Sequence, residues 1–185
     1  DDYTKDDVYE IFQIADEIKD GKYQKFLEGK TVILFFPNSS IRTRVAFEKG
    51  IHLLGGQTIL FPPEALDKRE KLEDVIRYLN NWADAAVIRH KNIAIMDEIA
   101  QYASFPVNNA LTDENHPCEI LSDLYALSKL RNNFCTDKFL FVGAKGNIGG
   151  AWQEAAQVMG FELAQCCPKG YELDGVEVIR DLKEA

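Results

Sequence analysis

Residues 38–44 read NSSIRTR: two serines, a threonine and two arginines within seven positions of a chain that is acidic overall. Hydroxyls beside a guanidinium make a site for an oxyanion, because the planar arginine fork bonds two oxygens at once and the hydroxyls donate to the others. The chain holds 21 basic and 30 acidic side chains, a formal net charge of −9. Its long-range field repels polyanions, which argues against nonspecific nucleic-acid or anionic-membrane binding and makes any anion site a local one.

Two further stretches carry related chemistry. AAVIRH places Arg89 after an apolar run, and NALTDENHPCEILSDL places His116 directly before a helical pattern with Glu119 one turn in. A histidine at a helix start is often only a cap, and NSSIRTR read alone is also an ordinary helix entry with solvent-exposed arginines. Arg42, Arg89 and His116 all follow strand patterns, and that recurrence favours one shared site over three unrelated surface residues.

The elements that would position these residues alternate along the chain. TVILFF at 31–36 is a short apolar, β-branched and aromatic run that suits a strand buried on both faces, and the spacing after it predicts a helix over 42–54. QTILF, DAAVIR and FPVNNA read as further strands, with helices predicted over 70–81 and 93–102 between them. Pro117 suits the first position of a long helix over 117–130, whose stripe is Ile120, Leu121, Leu124, Leu127 and Leu130. An N-terminal helix begins at a capping-box-like Thr4 and Asp7 and stops at Gly21. After the polar segment RNNFCTD a second series follows: strand KFLFVG, a helix over 148–159, and strands ELAQCC and VEVI. The expected fold class is α/β, a doubly wound parallel sheet with helices on both faces, followed by the start of a second similar α/β domain.

In such a sheet ligands collect beyond the carboxyl ends of the strands, where a helix N-terminus offers free N–H groups and a positive dipole end. NSSIRTR lies at such a strand-to-helix junction, with Ser39, Ser40 and Thr43 as hydroxyl donors and Arg42 as the fork. Arg44 falls about 160° around the helix from Arg42, toward an internal carboxylate more than toward a ligand.

These motifs reach a known family. SSIRTRVAFE resembles the S-T-R-T-R-x-S-F-E motif of the aspartate and ornithine carbamoyltransferases, VIRH is similar to their second arginine site, and HPCEILSDL to their H-P-x-Q-x-L-x-D-L. Order and spacing agree along the whole chain, and NALTDENHP is nearer the ornithine branch. The resemblance implies a carbamoyl-phosphate-binding domain over 1–134, then the N-terminal part of an amino-acid (ornithine)-binding domain over 135–185, apparently truncated. It further implies a homotrimer with active sites shared between subunits, working in amino-acid and arginine metabolism with no cofactor and no metal.

Carried over position by position, Ser40, Arg42 and Thr43 would hold the phosphate of carbamoyl phosphate, with Ile41 contributing its backbone N–H. Arg89 would reach phosphate and carbonyl oxygen, His116 would donate to the carbonyl oxygen, and Glu119 would sit at the carbamoyl nitrogen. Lys68 or Arg69 matches the basic residue lent to a neighbouring subunit. The reaction implied is carbamoyl transfer to ornithine, giving citrulline and phosphate. The alternatives are another amine, such as putrescine, a modified ornithine or aspartate, and a noncatalytic carbamoyl-phosphate-binding relative. Two positions depart from the pattern: Ile41 stands where the family has threonine, and Glu119 where it has glutamine.

VGAKGNIGG at 142–150 follows a strand and opens a helix, so a dinucleotide site must be weighed. Its spacing is G-x-x-G-x-x-G, and no strand-end acidic residue follows at the distance a ribose needs. Under the resemblance, Asn147 matches the asparagine that contacts the ornithine carboxylate or amino group; the plain alternative is a tight turn with no ligand. No apolar run approaches the ~18 residues of a membrane span, and DDYTKDDVYE is acidic where a targeting peptide is basic. The expectation is a cytoplasmic protein with reduced cysteines.

Overall fold

The computed structural model describes residues 3–183. Its elements run α1 (Lys5–Lys19), β1 (Thr31–Phe35), α2 (Arg42–Leu53), β2 (Gln57–Phe61), α3 (Leu72–Leu79), β3 (Ala85–Arg89), α4 (Ile93–Tyr102), β4 (Val107–Leu111), α5 (Pro117–Leu130), β5 (Lys138–Val142), α6 (Asn147–Met159), β6 (Glu162–Cys166) and β7 (Glu177–Ile179). Strands β2-β1-β3-β4 form one sheet and β5-β6-β7 another, and every pairing is parallel. Consecutive parallel strands require a crossover, which α2, α4 and α6 supply for β1–β2, β3–β4 and β5–β6, while a loop over 167–176 joins β6 to β7.

The packing divides into two units, Asp16–Asp113 and Asp1–Ala15 with Glu114–Ala185. In the first, the period of two along β1 sends alternate residues to opposite faces. Ile33 and Phe35 join Ile76, Leu79, Met96 and Ile99 of α3 and α4. Val32, Leu34 and Phe36 face Ile51 and Phe47 of α2. Both faces are therefore covered, and the unbroken apolar character of TVILFF is explained. A large side chain buried as completely as Ile33, Leu34 or Ile76 contributes about 1.5–3 kcal/mol.

In the second unit Val8 and Phe12 of α1, Ile120 and Leu124 of α5, and Ala151, Ala155 and Met159 of α6 share a core with Phe134 and Phe161. The capping box forms reciprocally: Asp7 accepts from the Thr4 N–H at 2.7 Å, and the Asp7 N–H reaches the Thr4 hydroxyl at 3.3 Å. The Lys5 ammonium donates to the Met159 carbonyl at 2.8 Å, tying α1 to the end of α6. The stripe along α5 ends sooner than its spacing suggests: Leu130 is 80% exposed, at the last helical residue before the polar segment. Helix α3 is likewise shorter than 70–81, because Glu70 and Lys71 stay in the preceding loop and Asn80 and Asn81 turn away.

Candidate active site

Ser40, Ile41, Arg42, Thr43, Lys68 and Arg89 belong to the unit Asp16–Asp113, and His116, Glu119 and Asn147 to the other. In the first unit, β1 ends at Phe35 and a turn closed by the Ser40 N–H on the Pro37 carbonyl at 2.9 Å delivers the chain to α2. Ile41 takes the N-cap position and its side chain cannot cap, so among the described residues the first turn of α2 has no side-chain cap. A helix start left open beside an arginine is a receptive site for an anion. Ile41 itself is 71% exposed.

Ser40 is buried, and the Arg89 guanidinium donates to its hydroxyl at 3.2 Å. The ends of β1 and β3 are thus joined through two of the predicted residues. Arg89 sits where the β3–β4 register shifts, between Ile88 and Arg89. A local irregularity of this kind re-aims the side chain that follows it. Arg44 pairs with Glu48 at 3.0 Å, one turn on, as its angular offset from Arg42 predicts. Arg42 is exposed and, among the described residues, engages no carboxylate. Lys68 and Arg69 are exposed in the loop between Leu66 and α3.

In the second unit His116 is the N-cap residue of α5 by position, though its ring does not cap the helix. The ring is buried and its Nε2 lies 3.3 Å from the Glu119 carboxylate, whose own side chain is half exposed. One turn further, burial and then the Glu119 charge push the Asp123 carboxyl above its ordinary range. The thiol of Cys118 is pushed up to about 11 by burial.

The glycine-rich turn serves packing in the first instance. A Cβ on Gly150 would lie 2.6 Å from the Glu114 carbonyl oxygen, and one on Gly149 would lie 3.0 Å from the Phe141 ring. Helix α6 can therefore approach the segment leading to His116 only without a side chain at 150, and the Phe141 ring of β5 only without one at 149. Gln165, fully buried in β6, fixes the turn from below. Its amide donates to the Gly143 carbonyl at 2.8 Å and the Tyr171 carbonyl at 3.0 Å, and its oxygen accepts from the Leu173 N–H at 2.7 Å. Asn147 opens α6 directly after this turn.

Residues 1–129 match the family model described as the aspartate/ornithine carbamoyltransferase carbamoyl-P binding domain. The chain belongs to the aspartate/ornithine carbamoyltransferase family. It is 38% identical over 179 residues to an ornithine carbamoyltransferase of Pelobacter propionicus, covering 94% of this chain and 59% of that relative. The solved ornithine carbamoyltransferase of Thermus thermophilus superposes with a TM-score of 0.91 at 27% identity, covering 100% of this chain and 68% of that one. That of Pyrococcus furiosus gives 0.86 at 31% identity, over 94% of this chain and 57% of that one. The chain thus spans roughly six tenths of the length of the relatives it matches.

Within this carbamoyltransferase frame, two residues acquire weight that the sequence did not give them. Gln165 looks like an ordinary polar residue in a strand pattern, and only its complete burial singles it out. His90 stands inside the quoted VIRH, yet nothing in its spacing indicates that it is buried and bonded on both ring nitrogens.

Proposed function

We propose that this chain binds carbamoyl phosphate and that the whole protein transfers its carbamoyl group to the side-chain amine of ornithine, giving citrulline and phosphate. The observation that carries the reading is the Ser40–Arg89 contact beside the uncapped start of α2. It gathers hydroxyl, guanidinium and open N–H groups at the strand ends of a family-matched carbamoyl-phosphate domain. Ser40, Arg42, Thr43 and the backbone of Ile41 would take the phosphate oxygens. Arg89 would span phosphate and carbonyl oxygen.

His116 would donate to the carbonyl oxygen as negative charge develops there, and Glu119 would accept from the carbamoyl NH2. Arg42, Arg89 and His116 are then the catalytic residues. Their task is electrostatic: a neutral amine attacks the carbonyl carbon to form the C–N bond, the C–O bond to phosphate breaks, the amine's proton leaves with the phosphate, and preset donors stabilise both the oxyanion and the departing phosphate. Loss of one such donor commonly lowers the rate ~10²–10³-fold. Asn147 is assigned to the ornithine carboxylate or amino group.

The functional division is taken at 134/135, with the ornithine-binding part beginning there. Assembly as a homotrimer, with Lys68 reaching a neighbouring subunit, a cytoplasmic location and a place in arginine metabolism belong to the same proposal. Among the described residues no helix is long and apolar enough to cross a membrane.

The test is product formation by the full-length protein from carbamoyl phosphate and a panel of ornithine, putrescine and aspartate. Citrulline from ornithine at the highest kcat/KM supports the reading. Preference for another amine would move the protein to that branch, and no product with any amine would leave a binding protein.

A further inference from the structure

We infer that His90 is a positioning residue: through Asp67 it ties the loop bearing Lys68 to the strand end that carries Arg89. The inference rests on the proposed role of Lys68 for its functional meaning, but the tether itself stands on geometry.

His90 directly follows β3, and its backbone N–H continues the ladder by donating to the Leu111 carbonyl at 3.0 Å. Its ring is turned inward and is 9% exposed. Nδ1 faces the backbone of Asn92, its N–H at 3.1 Å and its carbonyl oxygen at 3.2 Å, while Nε2 lies 3.1 Å from the Asp67 carboxylate, to which it donates. The ring is therefore held at both nitrogens, by the chain two residues on and by the loop carboxylate. Asn92 in turn caps α4 by accepting from the Ala94 N–H at 3.0 Å.

The loop between β2 and α3 has few other holds. Pro63 and Leu66 are buried, Leu66 as part of the α3 and α4 core, and Lys68, Arg69, Glu70 and Lys71 are all exposed. Asp67 is the last residue before this exposed run, and its side chain is half in solvent. A carboxylate facing water has no need of a buried histidine, whereas a loop that must present its basic residues in one place needs an anchor at their base. Arg89 bonds Ser40 and His90 bonds Asp67, so adjacent residues of one strand end hold the anion turn and the basic loop together. Removing either partner would free the run 67–71 while leaving the sheet intact.

The chain reports on this loop directly, because Lys68, Arg69 and Lys71 are trypsin sites. Cleavage within 68–71 under native conditions, followed by mass spectrometry, measures how often the loop opens. In Asp67→Ala and His90→Phe the cleavage rate is expected to rise about tenfold, the effect of one lost hydrogen bond. Asp67→Asn keeps an acceptor for the Nε2 proton and should cleave at close to the parent rate. Asp67→Ala alters a half-exposed side chain, so it keeps the test valid if His90→Phe folds poorly. Carbamoyl phosphate should slow cleavage in the parent and protect Asp67→Ala less.

Equal cleavage in parent, Asp67→Ala and His90→Phe would overturn the tether. Faster cleavage in the variants with undiminished protection by carbamoyl phosphate would overturn the positioning role. A parent that fails to bind carbamoyl phosphate would sink the proposed function instead, and the ligand-free cleavage rates would still decide whether His90 holds the loop.

Discussion

Arg89 and Arg42 differ in what holds them. Arg89 is braced against the buried Ser40 hydroxyl, while Arg42 stands exposed at the mouth of α2. A braced guanidinium is preorganised, and an exposed one relies on its fork geometry to fix the ligand. Arg42→Lys should therefore weaken carbamoyl-phosphate binding by about tenfold to a hundredfold, because an ammonium cannot reproduce two parallel bonds. Calorimetric titration of the variant reads this directly, and unchanged affinity would remove Arg42 from the site. Glu119 offers the opposite test. Under the proposed role at the carbamoyl nitrogen its carboxylate would add negative charge near a dianionic ligand, so Glu119→Gln should bind carbamoyl phosphate at least as well as the parent. The same substitution removes the second cause of the raised Asp123 carboxyl, which should then titrate lower by carboxyl-detected NMR. A raised carboxyl contributes stability below the ordinary carboxylate range that is lost as pH rises through its folded value. Glu119→Gln should accordingly flatten stability in that window.

At the scale of elements, the glycine-rich turn and Gln165 decide where Asn147 and the approach to His116 lie. Alanine favours a helix over glycine by about 1 kcal/mol, yet Gly150→Ala should lower stability by about 1–3 kcal/mol, because its Cβ would meet a backbone oxygen that cannot swing aside. Gln165→Met keeps the volume and strands three backbone groups, so a loss of about 2–4 kcal/mol is expected by urea unfolding.

The elements themselves were legible where a residue type carried the signal. Pro117 fixed the start of α5, Gly21 the stop after α1, and the β-branched run the first strand. Boundaries slipped where the ladder outlasts the strand: Phe36 still donates to the Phe61 carbonyl after β1 has ended. The arginines, Ser40, His116 and Glu119 could be nominated because charge and hydroxyls after apolar runs are local facts. His90 and Gln165 could not, since their roles come from burial and from partners 23 and 22 residues away or nearer. Periodicity does not report such contacts.

At the scale of the whole molecule, several carboxylates are held below their ordinary range in both packing units. The Thr4 hydroxyl and N–H hold Asp7, the Lys30 ammonium and the Thr31 N–H hold Asp84, and the Arg180 guanidinium holds Glu172. Lowered carboxyls contribute stability that is present above about pH 4 and lost as pH falls through their folded values. The urea midpoint should therefore fall between about pH 5 and about pH 3, and Asp84→Asn should reduce that slope. An identical slope in the variant would remove Asp84 from the effect.

The measurement that bears most directly on the proposed binding of carbamoyl phosphate is calorimetric titration of this chain with carbamoyl phosphate, beside inorganic phosphate under the same conditions. Saturable one-site binding that is tighter for carbamoyl phosphate is expected, since Arg89 and His116 in their proposed roles would add contacts to the carbamoyl group beyond those to phosphate. Equal affinity for the two ligands, or binding of neither, would contradict it.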